Sequence, residues 1–106
     1  MSLVDKIGEF LEKVEGKDII FKKHFNDRIK ERPISKELVK RYLKNKRKLI
    51  KIEEQQTKRE GEQKYKLWFK MSNKYDLITI VAKTEKTLYI ITAWNTNRRW
   101  QKAIQK

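Results

Sequence analysis

QKYKLWFKM, residues 63–71, alternates Tyr65, Leu67, Phe69 and Met71 with Lys64, Lys66, Trp68 and Lys70. A period of two belongs to an extended strand, whose successive side chains point to opposite faces. One face of this strand is therefore predicted to be apolar and the other basic. The same period extends in both directions. Residues 49–57 read as a polar strand joined by a turn containing Gly61, and residues 77–83, nearly continuous in apolar and β-branched types, read as an interior strand. Residues 87–94 follow as a last strand after a short turn at 84–86.

Ahead of residue 49 the spacing is helical. Leu3, Val4, Ile7, Phe10, Leu11 and Val14 mark an amphipathic helix over 3–14, with Ser2 to cap it and Gly16 to end it. Its charges nearly cancel, so it is expected to pack on the core. Ile19, Ile20 and Phe21 form a short β-favouring run, an edge strand or an extended lead-in. Residues 24–32 return to helical spacing, with Phe25 and Ile29 toward the core and His24, Arg28 and Arg32 along an adjacent stripe. Pro33 stops that helix and Ser35 caps the next, in which Leu38, Val39, Tyr42 and Leu43 are buried while Lys40, Arg41 and Lys44 point outward. Residues 95–106 read as a short basic helix with Trp100, Ala103 and Ile104. Helices followed by strands give an α+β fold: N-terminal helices, a four-stranded antiparallel meander and a C-terminal basic helix.

A length of 106 residues, 38% hydrophobic content and eleven aromatics suffice for one domain with one core, spanning residues 1–106. Three Gly and one Pro leave no linker, and no repeat is evident. The absence of cysteine excludes disulfide, thiolate and zinc-thiolate chemistry, and a single histidine without clustered carboxylates makes a metal site improbable. No cofactor is expected. The N-terminal residues lack the apolar run of a signal peptide or membrane span, and the reading is a soluble, cytoplasmic protein with no membrane partner.

Charge names the partner class. Lys and Arg outnumber Asp and Glu by 28 to 14, a formal net charge of +14, and residues 40–51 (KRYLKNKRKLIK) hold seven Lys or Arg and no acid. Such a charge repels itself, and a bound phosphate backbone relieves that repulsion while releasing counterions. The competing reading, a heat-adapted surface, predicts that Glu rises along with Lys, whereas here bases outnumber acids 28 to 14. Lys40, Arg41, Lys44, Lys46, Arg47, Lys48 and Lys51 are therefore expected to form a landing surface for nucleic acid, anchored by Tyr42, Leu43, Leu49 and Ile50.

The order KKHFNDRIKERPIS, a helix with Leu38, Val39 and Leu43, four strands and a last strand YIITAW resembles small toxins of the RelE/ParE superfamily. It is most similar to an uncharacterised subgroup whose signature is met at Lys23, His24, Arg28, Arg32, Ile34 and Ser35, with Ile91 to Trp94 matching the closing strand. The resemblance covers residues 18–98, leaving 1–17 as a helical addition and 99–106 as a basic tail. It implies an RNA-directed toxin, a metal-independent endoribonuclease acting on free or ribosome-bound mRNA, with an acidic antitoxin as partner. The superfamily also holds gyrase poisons and inactive members, so a non-catalytic nucleic-acid-binding module and a ParE-like topoisomerase-directed toxin stand as alternatives.

Metal-free RNA cleavage needs proton transfer at the ribose 2′-hydroxyl and the leaving 5′-oxygen, and cations beside the phosphorane. Histidine is the residue type suited to proton transfer near neutral pH, which selects His24, although a lone histidine at a helix start also serves as a cap. Arg28 and Arg32 suit bidentate phosphate contact or local ion pairs with Asp27, Glu31 or Glu37. Lys64 and Lys66 share a strand face, where mutual repulsion favours a neutral amine that can act as a base, and Trp68 offers a plate for base stacking with Lys70 beside it. The bland alternative is a solvated outer face with Trp68 covered. Trp94, Arg98, Arg99 and Trp100 interleave rings and cations in the same way, with Trp100 read as core. Of the tyrosines, Tyr65 falls with the apolar set, which leaves Tyr89 as the candidate acid.

Overall fold

The computed structural model describes residues 3–28, 34–57 and 60–97. Helix α1 (Leu3–Lys13) leads through a 3-10 turn (Gly16–Asp18) to strand β1 (Ile19–Phe21), which runs into α2 (Lys23–Arg28). Helix α3 (Lys36–Leu43) and a 3-10 turn (Lys46–Lys48) then precede β2 (Leu49–Gln55), β3 (Gln63–Lys70), β4 (Tyr75–Lys83) and β5 (Leu88–Asn97). The expected cap forms: Ser35 Oγ accepts from the Leu38 amide at 3.1 Å, satisfying a donor at the start of α3 that the helix itself leaves open. Gly61 takes a positive φ of 74° in the β2–β3 turn, where a side chain would be strained. Of the expected 24–32 helix, α2 realises the part up to Arg28. Ile29, Arg32 and Pro33 lie outside the described residues, as does the expected 95–106 tail helix from residue 98 onward; Asn95, Thr96 and Asn97 are not helical but extend β5, paired with β4.

The sheet corrects one expectation. Strands β2 to β5 pair antiparallel with their neighbours, but the sheet has five strands in the order β1-β5-β4-β3-β2 and is mixed, because β1 pairs parallel with β5. Ile19 faces Leu88 and Phe21 faces Ile90, and the Lys22 amide extends the pairing by donating to the Ile90 carbonyl at 2.9 Å. Three residues are too few to display a period. What places them is the open edge of β5, whose backbone groups they satisfy.

Two bulges shape the strands. Between Leu49 and Lys51 the register slips against β3, making Ile50 the extra residue, and between Ile80 and Val81 it slips against β5, making Ile91 the extra one. Ile50 is 49% exposed, so it does not anchor the basic run as its apolar character suggested. Tyr42, Leu43 and Leu49 do belong to the core or pack against it.

The described helices share one face of the sheet. Ile7, Leu11 and Val14 of the first segment, Phe25 of α2, and Val39 and Leu43 of α3 form one cluster with Tyr65, Leu67, Phe69, Leu77, Val81, Leu88, Ile90 and Ala93. Phe21 and Phe25 meet at 4.7 Å between ring centroids, locking β1 to α2. Among the described residues no helix is long and apolar enough to cross a membrane.

Candidate nucleic-acid interface

The second face of the sheet can be read as rows of cross-strand neighbours. One row runs Lys51, Trp68, Ile78, Trp94; the next Glu53, Lys66, Ile80, Thr92; a third Gln55, Lys64, Ala82, Tyr89, ending at Ile20 of β1. Alternation puts these side chains opposite the helix-covered core. On this face the lysines stand on β2 and β3 and the rings on β3 and β5, with Ile78, Ile80 and Ala82 of β4 between them.

The cations rest on the rings. Lys66 Nζ lies 4.8 Å from the Trp68 ring centre and 5.6 Å from that of Trp94, so one ammonium spans two tryptophans. Lys51 Nζ lies 4.7 Å from Trp68, and Lys22 Nζ 4.4 Å from Tyr89. Each contact is worth about 0.5–1 kcal/mol at an exposed site, more where water is excluded. Trp68 is only 3% exposed, so it supports the lysines above it and does not stand free as a stacking plate. Trp94 and Tyr89 are half-buried, as are Lys64 and Lys66.

The basic run is divided by the fold. Lys40 projects toward Phe21 of β1, 5.9 Å from its ring, whereas Lys51 lies in β2 at the opposite edge of the sheet. Four interstrand spacings separate those edges, about 19 Å. Two members serve α1. The Lys44 ammonium donates to the carbonyls of Val14 and, at 3.4 Å, Glu12, neutralising the negative end of the helix. The Lys46 stem packs so closely on Gly8 that a methyl there would sit 3.1 Å from Lys46 Cγ. Arg41, Arg47 and Lys48 are exposed outside the rows, and Lys51 alone of the seven belongs to them. Of the seven residues expected to act together, Lys44 and Lys46 are thus engaged with α1 and Lys51 stands on the sheet.

The candidate catalytic residues are spread as well. His24 is exposed on α2, next to β1, while Lys64 and Lys66 lie on β3, three strand positions away or about 14 Å at the backbone. Arg28 ends α2, and its side chain lies outside the described residues, as do Arg32, Arg98, Arg99 and Trp100. Lys70 is exposed beside buried Asp76 at the β3–β4 turn. Tyr65 is buried with its hydroxyl donating to Gln63 Oε1 at 3.1 Å, and burial, with the Glu54 carboxylate as a lesser cause, raises its phenol above the ordinary value. That suits a structural phenol more than a proton donor.

Sequence reasoning missed Lys22. It follows β1 directly, and once β1 is paired with β5 it joins Lys64 around an open groove of about 430 Å³ on the lysine face. The signal was present as a β-favouring triplet ending in lysine, but only the parallel pairing brings residue 22 to this face. No protein-family model, curated protein or solved structure matches the chain.

Proposed function

We propose that this protein binds single-stranded RNA along the lysine-bearing face of its sheet, in the manner that the RelE/ParE resemblance implies. The observation that carries this reading is the placement of Lys22, Lys51, Lys64 and Lys66 on one face with aromatic rings between and beneath them. Interleaved cations and rings suit an extended strand whose phosphates need charge and whose bases need apolar surface. The described helices are committed to the other face, which disfavours a mode in which a helix enters a duplex groove. An acidic antitoxin segment fits the same lysines. Binding of a labelled 12-nucleotide RNA, followed by anisotropy, is expected to exceed that of duplex DNA. It should weaken with salt with a log–log slope of about −3, from four phosphates neutralised. Equal binding of both, or no salt dependence, overturns the reading.

A second reading, endoribonuclease action, has one specific support: His24 lies two residues beyond Lys22, whose side chain lines a groove with Lys64. Cleavage of mRNA, free or on translating ribosomes, that is lost in His24→Ala while binding persists favours this enzyme. Intact RNA in both settings leaves the binding module.

A further inference from the structure

The groove at the hairpin end of the lysine face has a simple origin. In the row Lys64, Ala82, Tyr89, the middle strand contributes the smallest side chain, and the two flanking strands contribute long ones. The bulge at Ile91 widens the β5 side further, and the chain beyond β2 supplies Gln56 and Thr57 as a polar wall. The result is a depression of about 430 Å³ with an apolar floor, Ala82 and Ile91, flanked by the two ammonium-bearing side chains of Lys22 and Lys64. Among its described lining residues the one acid is Glu62, whose Oε1 accepts from Thr57 Oγ1 at 3.2 Å.

Cations at the rim over an apolar floor match a phosphate joined to a ribose and base. A bare inorganic anion needs no such floor, and an apolar ligand needs no such rim. The volume lies within the range of small-molecule sites. We infer that this groove seats a single nucleotide of the bound strand, with its phosphate between Lys22 and Lys64 and its sugar and base over Ala82 and Ile91. The inference rests on the RNA-binding reading and adds a defined subsite to it. Along the rest of the face, charge and rings act without regard to register; at the groove, one unit of the strand is fixed in place.

The test uses the full chain with two probes, the labelled 12-nucleotide RNA and adenosine 5′-monophosphate. Lys22→Ala/Lys64→Ala is expected to lower RNA affinity at least tenfold, against less than threefold for the charge-matched Lys6→Ala/Lys13→Ala pair on α1. Ala82→Val keeps every charge, suits a strand, and narrows the groove, so it is expected to lower affinity about fivefold. In amide spectra the monophosphate should shift Ala82, Ile91 and Gln56 saturably in the parent and not in Ala82→Val. Should Ala82→Val fail to fold, the lysine pair and the parent titration decide alone. Undiminished RNA binding by the groove variants overturns the subsite and leaves the binding face intact. Failure of the parent chain to bind RNA at low salt overturns both.

Discussion

The Lys44 ammonium, at the end of α3, donates to the Val14 carbonyl just beyond α1, joining segments thirty residues apart in sequence. A cation from the most basic part of the chain thus serves as the C-terminal cap of a different helix. Replacing Lys44 by Met keeps the stem and removes the donor. The expected result is a loss of about 1 kcal/mol of stability in urea unfolding, since a charged donor to open helix carbonyls is lost at a partly solvated site. RNA affinity at physiological salt should change less than twofold, which separates Lys44 from the lysines of the sheet face.

Lys66 offers the opposite outcome. Lys66→Gln removes the ammonium that spans Trp68 and Trp94 but leaves a similar stem. Its unfolding midpoint should fall modestly, by the equivalent of about 1 kcal/mol. The salt slope for single-stranded RNA should lessen by about 0.7, the contribution of one phosphate contact. Lys51→Gln should behave alike, and the double variant should lessen the slope by about twice as much.

Gly8 and Lys46 form a coupled pair. Ala is favoured over Gly within a helix by about 1 kcal/mol, but in the parent chain a methyl at position 8 meets the Lys46 stem at 3.1 Å. Gly8→Ala is therefore expected to stabilise the Lys46→Ala background by about 1 kcal/mol and the parent by clearly less. A double-mutant cycle by chemical denaturation reads the difference directly. Equal gains in both backgrounds would show that the contact is without cost.

Tyr65 gives a pH dependence of known sign. Burial first and Glu54 second hold its phenol above the ordinary value of 10.0, so the folded state keeps the proton longer than the unfolded chain. The corresponding stability is fully present below pH 10.0 and is lost as pH rises through the folded value. The informative quantity is the comparison with Tyr65→Phe: its stability should decline less steeply above pH 10.0 than that of the parent.

The pattern in residues 63–71 gave away the strand because its faces differ in chemistry: Tyr65, Leu67 and Phe69 are buried among helices, and the lysines lie opposite with Trp68 among them. It could not show that Trp68 is also buried. Period two assigns a face but not its solvent exposure, and here both Trp68 and its cross-strand neighbour Ile78 are 3% exposed. Helix α3 was legible through Ser35 and the Val39–Leu43 turn. β1 was not fixed, since three residues carry no period and their partner lies near the other end of the domain. The basic run was legible as composition and misleading as geometry. Nothing in a string of lysines says that Lys44 and Lys46 turn toward α1 while Lys51 turns toward Trp68. The groove was invisible for a related reason, as it needs Ala82 placed between Lys64 and Tyr89 by two registers at once.

The parallel pairing of β1 with β5 also sets a timetable. Ile19 and Leu88 are separated by roughly seventy residues, and a contact of that range forms late because so much chain must be ordered to close the loop. On a growing chain, β1 and α2 are made early but have no edge to join until β5 has been synthesised. The antiparallel hairpins can assemble first, leaving Phe21 and Phe25 exposed meanwhile. Lys22, and with it one wall of the groove, joins the lysine face only once β1 has paired with β5.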